Sequence, residues 1–271
     1  MEKLKEEWGF LNSGSNDAAV NMALDEALLL WHSKGDIPPT LRFYSWNDPT
    51  LSVGKFQKVE NTIDFESLKR YQCQYVRRLT GGSAVLHDDE LTYSIVISEA
   101  HPEIPRTVRD AYYILSKGVL EGYKNLGIYA DYAIPKDNLK PNSPVCFEKT
   151  AYYEMIVDEK KISGNAQTRK KGVLLQHGSI PMSIDTNMLF DMFLYPNEEV
   201  KLKKQDIFSR KATTIDQLTN KIHTYQELVQ AFYKGFQDGL NVSLKPLHLS
   251  KEQWCEVYDL AKDKYQSEAF V

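Results

Sequence analysis

Residues 77–94 read Arg77-Arg78-Leu79-Thr80-Gly81-Gly82-Ser83-Ala84-Val85-Leu86-His87-Asp88-Asp89-Glu90-Leu91-Thr92-Tyr93-Ser94, and their reading decides the fold. A β-rich run, residues 74–78, enters this stretch, and residues 79–83 form a small-residue turn. Two strands are predicted next, over residues 84–87 and 91–98. In the second, Leu91, Tyr93, Ile95 and Ile97 share one face while Thr92, Ser94 and Ser98 share the other, the period of two expected of a half-buried strand. Adjacent glycines let the backbone turn sharply and leave main-chain N–H groups open to a ligand. Arg77 and Arg78 supply fixed positive charge suited to phosphate or carboxylate. On their own, Gly81 and Gly82 read as a hairpin loop behind two solvated arginines, and His87 as a structural histidine.

Working outward, Asn16 or Asp17 caps a helix to about Ser33, with Val20, Ala23, Leu24, Ala27, Leu28 and Trp31 on one stripe and Gly35 as its stop. Residues 40–46 and 50–54 read as strands divided by Asn47-Asp48-Pro49, and 64–71 as a short helix. Downstream, Thr107 to Asp110 forms a capping box for a helix reaching about Asn125, with Tyr112, Leu115, Val119 and Tyr123 on its buried face. Three prolines and two asparagines make residues 135–144 an irregular loop that delivers the chain to Cys146. Residues 152–158 and 161–169 form a hairpin, followed by an apolar strand at 173–176 that ends in His177-Gly178-Ser179. Capping boxes at Thr224–Glu227 and Ser250–Gln253 open two later helices. The pattern predicts an α/β (α+β) fold, a mixed sheet flanked by helices, as a single domain over 1–271 with closing helices from about 213 packed on it.

A chain of 271 residues, 42% hydrophobic and 26% charged, has the composition of an ordinary globular protein. A net charge of -4 argues against nucleic acid as the main partner. No apolar run approaches the ~18 residues of a membrane span, and residues 1–7 lack a signal-peptide core, so a cytoplasmic location is expected. Three widely spaced cysteines without a C-x-x-C pair argue against a disulfide framework or structural zinc. Cys73 and Cys255 are assigned to packing. Cys146 follows a loop of the sort that exposes functional residues.

The string from Arg77 to His87 resembles the signature of the lipoate–protein ligase, octanoyltransferase and biotin ligase family, Arg-Arg-x-Thr/Ser-Gly-Gly-x-x-Val-x-His. The resemblance implies the class II synthetase-like catalytic fold of those enzymes, with a mixed, largely antiparallel sheet. It also implies that Arg77, Arg78, Thr80, Gly81, Gly82 and His87 belong to an acyl pocket. A second set of motifs is similar to one branch, the octanoyl-[acyl carrier protein]:protein octanoyltransferases of the LipM type. These are Cys146-Phe147-Glu148, Tyr153-Glu154, residues 160–169 and residues 171–181, with Asn21–Ala27 and residues 42–54 upstream. By that resemblance Cys146 is the nucleophile and Lys161 its partner. Gly164, Asn165 and Ala166 then form the far pocket wall, and His177 lines it or holds its strand. Glu159 stands where relatives often carry glycine, which puts the hairpin's turn type in question.

The activity implied is octanoyl transfer from octanoyl-acyl carrier protein, through a cysteine thioester, to a lysine of a lipoyl-accepting protein such as glycine-cleavage H protein or a lipoyl domain. No cofactor and no metal are expected on this reading, and a monomer is. An ATP- and Mg²⁺-dependent lipoate–protein ligase, an amidotransferase moving octanoyl or lipoyl groups between lysines, and a non-enzymatic acyl-binding module are the alternatives.

Overall fold

A computed structural model describes residues 5–133 and 154–266. In chain order its elements are β1 (Glu6–Asn16), α1 (Ala18–Lys34), β2 (Thr40–Trp46), β3 (Thr50–Val53), α2 (Phe65–Arg70), β4 (Gln74–Arg77), β5 (Val85–His87), β6 (Glu90–Ser98), α3 (Val108–Leu115) and α4 (Lys117–Asn125). There follow β7 (Asp131–Tyr132), β8 (Glu154–Val157), β9 (Lys160–Lys170), β10 (Val173–Pro181), α5 (Thr186–Asp191), α6 (Glu198–Lys211), α7 (Ile215–Thr219), α8 (Tyr225–Leu240), β11 (Val242–Pro246), α9 (Lys251–Leu260) and a π-helical turn (Ala261–Gln266). Eight strands form the main sheet in the order β11-β1-β2-β6-β10-β9-β8-β7, and β4-β3-β5 form a small second sheet. In the main sheet only β11–β1 and β1–β2 run parallel, so it is mixed and largely antiparallel, as expected. No helix among the described residues is long and apolar enough to cross a membrane.

Helix α1 starts after Asp17 and stops at Gly35, whose φ of 82° is the left-handed cap that glycine adopts without steric cost. It is buried on nearly every side, because the sheet lies below it and α9 and the π-helical turn pack against it. Glu26 ties this corner together: its carboxylate accepts from Lys170, Lys264 and the Tyr265 hydroxyl. On the sheet's other face, Gly118 and Gly122 of α4 meet Gly235 and Gly239 of α8 at backbone contact. A Cβ at Gly235 would sit 2.3 Å from the Gly122 nitrogen.

The structure corrects several expectations. Strand β6 is buried along both faces rather than half-buried, because it lies between β2 and β10 with helices above and below. Its apolar positions face the α4–α8 core, and its polar positions lie under α1. The helix expected from Thr107 to Asn125 is two helices that meet at Ser116, though all four residues named for its buried face are buried. The closing region is not helical throughout: β11 interrupts it and pairs with β1, a strand whose Asn, Ser and Gly residues hid it in the sequence. Strand β10 runs on through His177-Gly178-Ser179 to Pro181. Asp158 and Glu159 both have positive φ, 48° and 65°, so the β8–β9 hairpin makes a primed turn without glycine. Cys255 is exposed, so it is not a packing residue.

Candidate active site

The Gly-Gly loop is shaped by Arg78, which is buried behind it. Its Nη2 donates to the Gly81 and Ser83 carbonyls at 2.9 and 2.8 Å, its Nη1 to the Ser52 carbonyl and hydroxyl at 3.1 and 3.2 Å, and its Nε to Thr80 Oγ1 at 3.2 Å. Arg77 likewise donates to the Gly54 and Gln57 carbonyls, both at 2.9 Å. Both arginines thus hold loops in shape through backbone carbonyls, and Arg78 also reaches the cleft wall. Close approach explains why glycine stands at 54: a Cβ there would lie 2.0 Å from the Gly82 carbonyl oxygen. Gly82 has a φ of 100°, a conformation L side chains rarely adopt.

Inside this loop lies a narrow cleft whose lining is predominantly apolar atoms. Arg78, Gly81, Gly82, His87, Gly164, Asn165, Ala166 and His177 of the expected site line it. Arg77 and Thr80 do not; they stand behind the wall. Additional walls come from Met22, Tyr44, Trp46 and Val85, and from Ser52, Thr92, Gly178 and Ser179.

Two histidines sit in this wall, each held on one side by a buried carboxylate and on the other by a hydroxyl. His177 Nδ1 is 3.3 Å from Asp25 Oδ2, and its Nε2 is 2.7 Å from Thr80 Oγ1. A carboxylate accepts, so Nδ1 carries the proton and Nε2 accepts from the threonine hydroxyl. Burial, opposed by Asp25, lowers the His177 pKa and favours this neutral form. Burial pushes the Asp25 carboxyl up, but Arg42, 2.7 Å away, together with His177 and Ser94 outweighs it and the net shift is downward. On the other side His87 Nδ1 is 2.8 Å from Glu90 Oε1, its Nε2 is 2.8 Å from Ser52 Oγ, and its ring stacks on Trp46 at 4.3 Å. Burial again acts against Glu90's charge, yet His87 and the hydroxyls of Ser179 and Thr92 hold its carboxyl below the ordinary value. One guanidinium thus begins two parallel chains, Arg78–Thr80–His177–Asp25 and Arg78–Ser52–His87–Glu90.

Lys161, second residue of β9, is buried at 4% exposure, its Nζ 2.5 Å from Glu154 Oε1 on the neighbouring strand β8. A Cβ added to Gly164 would lie 3.3 Å from that Nζ, so glycine leaves the ammonium room against the cleft wall. Cys146 lies outside the described residues. Of the two cysteines described, burial pushes the Cys73 thiol up to about 12 and keeps it protonated, and neither lines the cleft.

Asp25, Arg42, Glu90 and Glu154 were not among the expected site residues. The signal for Asp25 was a carboxylate within an otherwise apolar helical stripe, and for Arg42 a cation between Leu41 and Phe43 in a strand. A charged residue in such a place must find a partner.

The family model "Lipoyl protein ligase A/B catalytic domain" matches residues 17–237, which take in the mixed sheet and the glycine loop over the apolar slot. The chain is 54% identical to the octanoyltransferase LipM of Oceanobacillus iheyensis, over 97% of this chain and 96% of that one. It is 53% identical to the octanoyltransferase LipM of Geobacillus kaustophilus, covering 97% of each. Among solved structures, the bipartite lipoate protein ligase of Thermoplasma acidophilum superposes with a TM-score of 0.79, at 23% identity over 97% of this chain and 95% of that one, which speaks for the fold alone. The chain belongs to the lipoyl protein ligase A/B catalytic domain family and, within it, to the octanoyltransferase LipM group of acyltransferases.

Proposed function

We propose that this enzyme transfers an octanoyl group from octanoyl-acyl carrier protein, through a thioester on Cys146, to a lysine of a lipoyl-accepting protein such as glycine-cleavage H protein. Membership of the LipM group supports octanoyl transfer in lipoate biosynthesis. The observation that carries the residue roles is the Lys161–Glu154 pair, buried against the Gly164 wall of an apolar cleft.

In the first step the Cys146 thiolate attacks the donor thioester carbonyl. A new C–S bond forms, the carrier's thiolate leaves and takes up a proton, and one thioester replaces another at little free-energy cost. In the second step the acceptor lysine's neutral amine attacks the acyl-enzyme, the C–N bond forms and the Cys146 thiolate leaves. Thioester-to-amide conversion is downhill, so ATP is not required. Lys161 as an ammonium stabilises the thiolate electrostatically and gives its proton to the departing carrier thiolate, and the neutral amine so formed takes the proton that the incoming lysine loses. Glu154 fixes the direction of the Lys161 side chain. The walls formed by Met22, Tyr44, Trp46 and Val85 receive the acyl chain.

The test is transfer from octanoyl-carrier to H protein by wild type and Cys146→Ala, with and without ATP. The expected result is ATP-independent transfer that Cys146→Ala abolishes. Transfer by Cys146→Ala would remove the nucleophile, and transfer only with ATP and free lipoate would make the enzyme a ligase.

A further inference from the structure

Thr80 stands behind the cleft wall and is fully buried. Its hydroxyl oxygen accepts from Arg78 Nε at 3.2 Å and lies 2.7 Å from His177 Nε2. Because Asp25 holds the His177 proton on Nδ1, Nε2 is an acceptor and the Thr80 hydroxyl donates to it. That fixes which way the hydroxyl turns: its proton toward the histidine, its lone pairs toward the guanidinium. Donating in this way also makes the oxygen a better acceptor for Arg78. Through Nη2 the same guanidinium reaches the carbonyls of Gly81 and Ser83, on either side of Gly82 with its φ of 100°. Arg78 therefore clips a turn whose two glycines line the cleft.

From this geometry we infer that His177 is a positioning residue for acyl transfer: acting through the Thr80 hydroxyl, it sets the direction of the Arg78 guanidinium and so the shape of the Gly81-Gly82 turn. The inference rests on the acyl-transfer reading and adds a residue role to that site. Each ring nitrogen of His177 faces a partner inside the protein, and the path from this side chain to the turn runs through Thr80. Remove the acceptor at Nε2 and the Thr80 proton is buried without a partner, so the hydroxyl turns and Arg78 Nε–H loses its oxygen. The fold tolerates that change. Asp25 keeps Arg42, Ser94 and Tyr44, and Arg78 keeps Ser52. What moves is the turn, and a displacement of about 1 Å beside a reacting group costs up to about a hundredfold in rate.

The experiment uses the full chain as wild type, His177→Leu, His177→Gln, Thr80→Val and the double variant His177→Leu/Thr80→Val. Glutamine supplies an amide oxygen where Nε2 stood, and leucine supplies no acceptor. Transfer from octanoyl-carrier is read as kcat/KM per folded enzyme, well below each denaturation midpoint. His177→Leu should lose about tenfold to a hundredfold, and His177→Gln should lose at least fivefold less; a gap under fivefold overturns the inference. With Thr80→Val already present, His177→Leu should cost less than threefold more, because the path is already cut. A further loss of threefold or more would mean that His177 acts by another route, and overturns it. The second readout does not depend on turnover: amide hydrogen exchange of the peptide spanning residues 79–86, relative to one from α8. That ratio should rise threefold or more in His177→Leu and less than threefold in His177→Gln. An unchanged ratio in His177→Leu would make the histidine a general structural residue, and a threefold rise in both variants would remove the acceptor argument; either overturns the inference. Should wild type transfer no octanoyl group, the acyl-transfer reading falls alone, and the exchange ratio still decides whether His177 sets the turn.

Discussion

The two faces of β6 carry alternate residues of one strand into different chemistry. Toward α4 and α8, Leu91, Tyr93, Ile95 and Ile97 join an apolar core in which glycines of the two helices meet at backbone contact. Toward α1, Thr92 and Ser94 join a buried network anchored by Glu90 and Asp25. Packing on the first face is fixed by shape, and on the second by hydrogen bonds. A polar face of a strand, then, need not be a solvent face; here it lies under α1, and its Thr92 lines the cleft.

The contrast is broken most forcefully by Asp25→Ala. It strands the fully buried Arg42 guanidinium, and a loss of about 3–5 kcal/mol in chemical denaturation is expected. The same network makes the α1 face acid-labile. Asp25 and Glu90 have folded pKa values below their ordinary 3.8 and 4.5, so the unfolded chain binds protons first and their contribution is lost as pH falls through the folded values. His177, lowered from 6.5, acts in the same direction, its contribution fading below 6.5 as the unfolded imidazole takes a proton that the folded one resists. Denaturation midpoints should therefore fall from pH 7 toward pH 4, and less steeply in His177→Gln. An unchanged slope would remove His177 from the effect.

On the other face, Gly235→Ala places a methyl carbon 2.3 Å from the Gly122 backbone nitrogen and should cost about 1–3 kcal/mol, with no change in the acid profile. A shared change in that profile would mean the two faces are not independent. Smallest is Glu159→Gly, in a turn on neither face. Relief of a left-handed conformation should stabilise by up to about 1 kcal/mol, less what glycine's freedom in the unfolded chain takes back. Destabilisation would show that the Glu159 side chain matters more than its backbone.

The glycine loop was legible because Gly81 and Gly82 carry a backbone meaning that does not depend on distant residues. The alternation of β6 was legible too, but its polar side was assigned to solvent because its cover comes from α1, some 70 residues earlier in the chain. Arg78 reads as a ligand-binding cation in isolation; that it clamps its own loop depends on the Ser52 strand pairing beside it. Asp25, Arg42 and Glu90 hid for a similar reason, each coming from a different element and meeting only in the folded state. β1 escaped because its composition is a loop's, while pairing with β2 and β11 makes it a strand.

The most direct measurement of the central claim is the mass of the enzyme after brief incubation with octanoyl-carrier alone, with no ATP and no acceptor, followed by peptide mapping. One octanoyl increment on the Cys146 peptide, removed by hydroxylamine and discharged when acceptor is added, is the predicted result. An enzyme that transfers octanoate yet never carries that increment, or carries it on another residue, would contradict the account.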